Sequence, residues 1–235
     1  MKRLDGHKVS KFLEMNFRED NTRHSSEWYL ERVPDTFYKE VEKVVSMNRD
    51  IMKVDVELES VVFHRAGMEN GFYCKPSWDW IDPLSNYLKN KKVLDTMTGN
   101  GLIPLCLKHR GVDIDACDRA TGKDNHYTKY RAWNFPIISG EKYIEEQAKK
   151  DIIYDTILLI WPEYKGDGSD KKICDIFMES NPFGEIIFIG EDYGGCTGSE
   201  DFFESYKLDK FEEIDQYYTP VCGIYDGIYK AERVR

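Results

Sequence analysis

Val93-Leu94-Asp95-Thr96-Met97-Thr98-Gly99-Asn100-Gly101 is an apolar run that ends in an acid and passes into a glycine-bracketed turn, with Leu102 to His109 following at helical spacing. In an open α/β sheet this is a corner where a strand hands over to a helix. Glycines let the backbone turn sharply and approach a ligand, and the helix N-terminus offers free N–H groups to it. The next apolar stretch, Gly111-Val112-Asp113-Ile114-Asp115-Ala116-Cys117-Asp118, predicts a second short strand, with Asp118 at its end, seventeen residues beyond Gly101. An acid at that place suits a ribose hydroxyl pair. The corner therefore points to a ligand that contains a nucleoside.

What the turn lacks narrows the choice. A dinucleotide fingerprint wants glycine or alanine three residues after its second glycine, for close helix-to-strand packing, and Pro104 stands there. That disfavours an NAD-dependent oxidoreductase. No Gly-Lys-Ser/Thr follows the turn, so the phosphate loop of nucleoside triphosphatases is not matched either. The combination of Asp95, the G-x-G turn and Asp118 resembles the class I S-adenosylmethionine-dependent methyltransferases. In that family the first acid and the glycine loop hold the methionine part of the cofactor, and the acid after the second strand holds its ribose. Met97 departs from the glycine of the commoner family pattern.

The resemblance runs from about Tyr73 to Arg235. Asp155 to Tyr164 looks like the family's fourth strand and the loop where chemistry occurs, but Trp161-Pro162-Glu163-Tyr164 replaces the Asn/Asp-Pro-Pro-Tyr of amino-methylating members. With Gly190-Glu191 and Gly194-Gly195-Cys196-Thr197-Gly198, it is similar to a branch of methyltransferase-like proteins that carries W-P-x-Y and G-E-x-x-G-G-C-T-G loops. The resemblance implies S-adenosylmethionine as cofactor, bordered by Tyr73, Pro76, Asp95, Met97, Thr98, Gly99, Asn100, Gly101, Asp118, Arg119, Ser139 and Gly140. It supplies no substrate. Glu163 is the candidate general base for a hydroxyl or amine acceptor, with Trp161, Pro162 and Tyr164 shaping the place where a planar acceptor stacks. Glu191, Gly194 and Gly195 are the expected far wall of the acceptor pocket. Each has a blander reading: Trp161 and Tyr164 as caps on the core, Glu163 as a solvated acid, Cys196 as a structural cysteine. A noncatalytic methyltransferase-like binding protein stays open as the alternative function.

Bulk properties set the limits. The chain has 235 residues, 41% of them hydrophobic, enough for one sizeable α/β domain with an accessory segment. A net charge of −10 repels phosphate backbones, so no long nonspecific nucleic-acid track is expected; the methyl acceptor is otherwise open among small molecules, nucleic acids and proteins. The six cysteines include no C-x-x-C pair and no alternating Cys/His spacing, so no metal site is expected. No stretch reaches the length of a membrane span, and Met1 to His7 lacks a signal-peptide character, which together predict a cytoplasmic protein without membrane partners.

Residues 1–70 are charged and lack glycine between Gly6 and Gly67, and Phe37, Val41, Val44 and Val45 have helical spacing. This predicts a helical N-terminal accessory segment ahead of a Rossmann-like methyltransferase domain over 71–235. Val54 to Glu59 alternates apolar and acidic residues and fits either an edge strand or the end of that helical unit. Helices are expected over Trp78–Leu88, after Pro76-Ser77, and Lys172–Ser180, before Asn181-Pro182. Strands are expected over Lys92–Asp95, Val112–Cys117, Trp133–Ile138, Ile152–Ile160 and Glu185–Ile189, giving a mostly parallel sheet with helices on both faces. The resemblance adds a closing antiparallel pair, placed over Phe211–Tyr218 and Tyr225–Val234.

Overall fold

In the computed structural model, which describes residues 64, 67–71, 73–120, 131–193, 195–220 and 224–234, the architecture is organised around β1 (Lys92–Asp95). It pairs in parallel with β2 (Asp113–Ala116) on one side and β3 (Thr156–Ile160) on the other. β4 (Glu185–Glu191) continues the parallel set beside β3. β5 (Tyr206–Lys210) and β6 (Asp226–Arg233) form an antiparallel pair, and β6 runs antiparallel to β4. The order across the sheet is β2-β1-β3-β4-β6-β5.

Among the described residues, helices flank these strands: α1 (Trp78–Tyr87), α2 (Leu102–His109), α3 (Gly140–Ala148), α4 (Ser169–Ser180), α5 (Glu200–Ser205) and α6 (Glu212–Asp215). Strand order reverses at β1, and right-handed crossovers in opposite directions put their helices on opposite faces. The core is accordingly split in two by the sheet. Leu158 and Ile160 of β3 and Ile187 and Ile189 of β4 pack with α1, α2 and α6, while Ile157, Leu159, Ile186 and Phe188 pack with α3, α4 and α5. The period-2 alternation of buried strands thus serves both layers at once.

Side-chain hydrogen bonds mark the starts of α1, α2 and α5. Ser77 caps α1, its hydroxyl accepting from the Asp79 amide at 3.2 Å. Asn100 Oδ1 accepts from the Leu102 amide at 3.0 Å at the start of α2, and Pro104 sits in that helix's first turn, where a missing N–H leaves nothing unpaired. The Ser199 hydroxyl caps α5 by accepting from the Phe202 amide at 3.1 Å.

Two expected strands are displaced. Trp133–Ile138 forms no strand; its sheet-like pairing is the single bridge Asp118 to Ile137, because Pro136 has no N–H to extend a ladder. Phe211–Tyr218 is not a strand but contains α6, and the hairpin partner of β6 is Tyr206–Lys210. Phe211, Ile214 and Tyr218 all face the first core layer, at helical spacing of three and four residues. The N-terminal helical expectation and Val54–Glu59 lie outside the described residues.

Phe177 of α4 is fully buried, whereas Phe183, in the turn that follows, is 95% exposed. Phe177→Ala should cost about 3–5 kcal/mol and Phe183→Ala less than about 0.5 kcal/mol, read from urea unfolding midpoints.

Candidate functional site

Because the chain leaves β1 for β2 on one side and then crosses back to β3 on the other, the carboxyl ends of β1 and β3 border the topological switch point, where open α/β sheets bind ligands. A cavity of about 800 Å³ opens there. Its wall includes Thr96 and Met97 after β1, Asp118, Arg119 and Ala120 after β2, Ser139 and Gly140 at the start of α3, and the whole Trp161 to Tyr164 loop after β3. Tyr73 and Met68 contribute from the segment before α1.

The glycine turn is fixed from two sides. The Gly99 amide donates to Asp118 Oδ2 at 2.9 Å, and the Ala120 amide donates to Oδ1 at 2.7 Å. Burial raises the Asp118 carboxyl above its ordinary range, against the pull of those amides and of Arg119. Gly99 has φ +59°, and a Cβ there would lie 2.1 Å from the Gly71 carbonyl oxygen, so the position requires glycine. The Asn100 amide also donates to Gly71 O, at 2.7 Å, which ties the turn to the segment ahead of α1. Asn100 and Gly101 lie behind the cavity wall; Asp95, Thr98 and Asn100 border a separate void of about 10 Å³ below it. Pro76 is buried ahead of α1 and lines neither space.

The loop after β3 is strained and pinned. Trp161 has φ +51° and Lys165 φ +49°, left-handed conformations that non-glycine residues seldom adopt, and Ala120 across the cavity has φ +50°. The Trp161 amide donates to Ile189 O at 2.7 Å, the Gly198 amide to Pro162 O at 2.9 Å, and the Lys165 amide to Gly198 O at 3.2 Å. The two loops singled out in the sequence are therefore bonded to each other. Tyr73 stacks near Trp161, with ring centroids 6.3 Å apart and an 18° interplanar angle, and the His64 ring lies 5.0 Å from Trp161. Glu163, its side chain 69% exposed, pairs with Arg119 at 3.1 Å; Arg119 also holds Asp167 at 2.7 Å.

Glu191 is buried and does not line the cavity. Its carboxylate accepts from the Cys196 amide at 2.6 Å and the Tyr225 amide at 2.9 Å. Burial would raise this carboxyl, but the Cys196 thiol, together with those amides, outweighs it and holds it below the ordinary glutamate value. Gly195 packs so closely on Glu191 that an added Cβ would lie 2.3 Å from its Cβ. Gly194 lies outside the described residues, as do Asn125, His126 and Tyr127. Cys196 does reach the cavity; burial, then the Glu191 carboxylate, push its thiol up to about 12.

Sequence reasoning passed over Met68, Thr96, Ala120, Glu141, Ser169 and Ile173 as cavity residues. Thr96 and Ala120 adjoin residues that were singled out, so widening each motif by one position would have found them. Met68, Ser169 and Ile173 carry no local signal. Among the described residues no group of His, Cys, Asp and Glu could hold a metal ion, and no helix is long and apolar enough to cross a membrane.

No protein-family model and no curated protein matches the chain. Among solved structures it is similar to a SAM-dependent methyltransferase from Agrobacterium tumefaciens, at 15% identity and TM-score 0.39, covering 66% of this chain and 59% of that one. It is also similar to magnesium protoporphyrin IX methyltransferase from Synechocystis with bound SAM, at 12% identity and TM-score 0.44, covering 77% and 85%. A TehB-like SAM-dependent methyltransferase from Corynebacterium glutamicum gives 14% identity and TM-score 0.43, covering 76% and 98%. The chain spans less than two thirds of the Agrobacterium protein's length. Each of these TM-scores lies below 0.5.

Asp95 is 0% exposed, and neither of its carboxylate oxygens makes a hydrogen bond of normal geometry among the described residues, although Thr98 and the Met97 amide lie near enough to oppose the shift. Burial pushes it up to about 7, with Asp118 adding to the rise. A carboxyl raised on folding binds its proton more tightly in the folded state, so its contribution falls as pH rises from about 4 to about 7. Asp95→Asn should remove that decline, worth up to roughly 4 kcal/mol. Urea unfolding at pH 5 and pH 8 reads the part of it above pH 5, roughly 2.7 kcal/mol: the wild type should lose that stability between the two relative to the variant.

Proposed function

We propose that this chain is an S-adenosylmethionine-dependent methyltransferase that transfers a methyl group to an O or N atom of its acceptor. The observation that carries this reading is the cavity at the switch point, into which the Gly99 turn, Asp118 and the Trp161 to Tyr164 loop all open. The residues fit the cofactor on two counts. The cavity has a volume suited to a nucleoside ligand with room beside it. Among the described residues its wall carries Asp118, Glu141 and Glu163 against Arg119, a field that suits a sulfonium and opposes the pyrophosphate of a dinucleotide.

Asp118 would accept from the ribose hydroxyls through the lone pairs that Gly99 and Ala120 leave free, with Tyr73, Met97, Gly99, Ser139 and Gly140 bordering the rest of the cofactor. Asp95, Thr98, Asn100 and Gly101 would act from behind the wall, holding the turn in shape. When bound, the cofactor supplies an electrophilic methyl carbon. Trp161 and Tyr164 would position the acceptor with their rings, and Glu163 would take its proton. Glu191 would keep the Cys196 loop in place as the outer wall.

A second reading, a noncatalytic binding protein with the same cavity, is favoured by one observation: the candidate base is already occupied by Arg119. A methyl-label transfer screen over small molecules, RNA, DNA and protein extracts separates the two, because the binding protein transfers label to none of them.

For the cofactor, S-adenosylmethionine or its demethylated product should raise the melting temperature, adding about 2.7 kcal/mol at a hundred times the dissociation constant, while NAD gives no shift. No thermal shift and no heat with either sulfur nucleoside, in ligand-free protein, would sink the assignment. For the base, Glu163→Gln should lower turnover about a hundredfold with cofactor affinity nearly unchanged, whereas Tyr164→Ala should chiefly raise the acceptor's KM. Wild-type turnover in Glu163→Gln would remove Glu163 from the chemistry.

A further inference from the structure

The charges and rings around the cavity differ in what they can recognise. Among the described residues of its wall the cation is Arg119, whose fork is directed at Glu163 and Asp167, at 3.1 and 2.7 Å. Lys165, outside the wall, lies near the Tyr164 ring at 5.2 Å. Among the described wall residues, that leaves the carboxylates of Asp118, Glu141 and Glu163 in excess over Arg119. Glu141 Oε2 is shielded from solvent and has no hydrogen-bond partner among the described residues. The cavity's other lining on the β3 side is aromatic and apolar: Tyr73 and Trp161 lie nearly parallel, and Tyr164 is 51% exposed.

An anionic acceptor entering this space would meet like charge and find Arg119 engaged, which is a discrimination built from repulsion. A cation would meet carboxylates and electron-rich ring faces. A bound sulfonium would neutralise part of that excess and leave the remainder for a second cation. We propose, resting on the methyltransferase reading above, that the acceptor is an amine on an aromatic or apolar frame, recognised as its ammonium form by the acidic, ring-lined side of this cavity. The ammonium gives up a proton to Glu163. The nitrogen lone pair then forms the N–C bond as the C–S bond breaks, and sulfur keeps that electron pair as a neutral thioether.

The test uses the full chain in two stages. Calorimetry with S-adenosylhomocysteine comes first; no binding heat there sinks the methyltransferase reading and the amine assignment with it. With that ligand saturating, 2-phenylethylamine, 3-phenylpropionate and phenyl phosphate are titrated at low and high salt. The amine should bind at least tenfold more tightly than either anion, and the margin should narrow at high salt and in Glu141→Gln. Label transfer from S-adenosylmethionine to a panel of aryl amines, carboxylates and phosphates should then place the methyl group on nitrogen. Either anion binding as tightly as the amine, no heat with the amine, or label on carboxylates or phosphates but on no amine overturns the proposal while leaving the cofactor reading standing.

Discussion

Asp118 is the residue on which the cavity's shape depends. Its two carboxylate oxygens take the Gly99 and Ala120 amides, its backbone carbonyl accepts from the Ile138 amide at 2.9 Å, and its own amide donates to Pro136 O at 3.4 Å. The side chain and backbone of one residue therefore hold the glycine turn, the rim after β2 and the approach to α3. Hydrogen bonds to an ionised group are worth roughly 1.5–3 kcal/mol each, against about 1 for neutral pairs. A strand-end acid is well chosen for this: it sits where several loops converge and has lone pairs for more than one donor. Structural and ligand-holding duties coincide in Asp118, so a substitution there perturbs both.

The opposite wall is held differently. Trp161 and Lys165 occupy left-handed backbone conformations that cost on the order of 1–3 kcal/mol each, and such conformations persist only where the surroundings over-determine them. Here the surroundings are the Ile189 and Gly198 backbone bonds, and behind them Asp170, buried at the start of α4, which accepts from both the amide and the hydroxyl of Ser199 at 2.7 and 2.6 Å. The strain turns the chain sharply at the end of β3, so that Trp161, Pro162, Glu163 and Tyr164 all border the cavity. Glu191 closes the same arrangement through Cys196 and Tyr225, which explains why a conspicuous acid at a strand end is absent from the cavity wall.

The parallel strands and the α2 corner were legible because their signals are local: a short apolar run, an acid, a glycine turn. The misplaced hairpin strand was legible too, had the spacing been weighed. Phe211, Ile214 and Tyr218 follow a helical period, while Tyr206 and Leu208 alternate with polar neighbours as a half-buried edge strand does. Trp133–Ile138 looked like a strand on composition, and Pro136 was the contrary signal. The cavity's composition was only partly legible. Residues adjoining the motifs follow from them, but Met68 and His64 meet Tyr73 and Trp161 through tertiary packing that no spacing encodes. That Asp95 would sit under the wall while Asp118 lined it could not be read either, since both are strand-end acids in similar local sequence.

Whether the Arg119–Glu163 pair disables the site turns on its magnitude. An exposed ion pair contributes about 0–1 kcal/mol, and the Glu163 side chain is largely in solvent. Exchanging Arg119 for an incoming donor therefore costs Glu163 little. Arg119 loses little as well, because Asp167 remains on its other nitrogen, at 2.7 Å, and is held below the ordinary aspartate range, chiefly by that bond. The pair is better understood as a weak clasp across the cavity mouth, joining the rim after β2 to the loop after β3, than as a lock on the base. Its weakness leaves the Glu163 carboxylate available to an incoming donor.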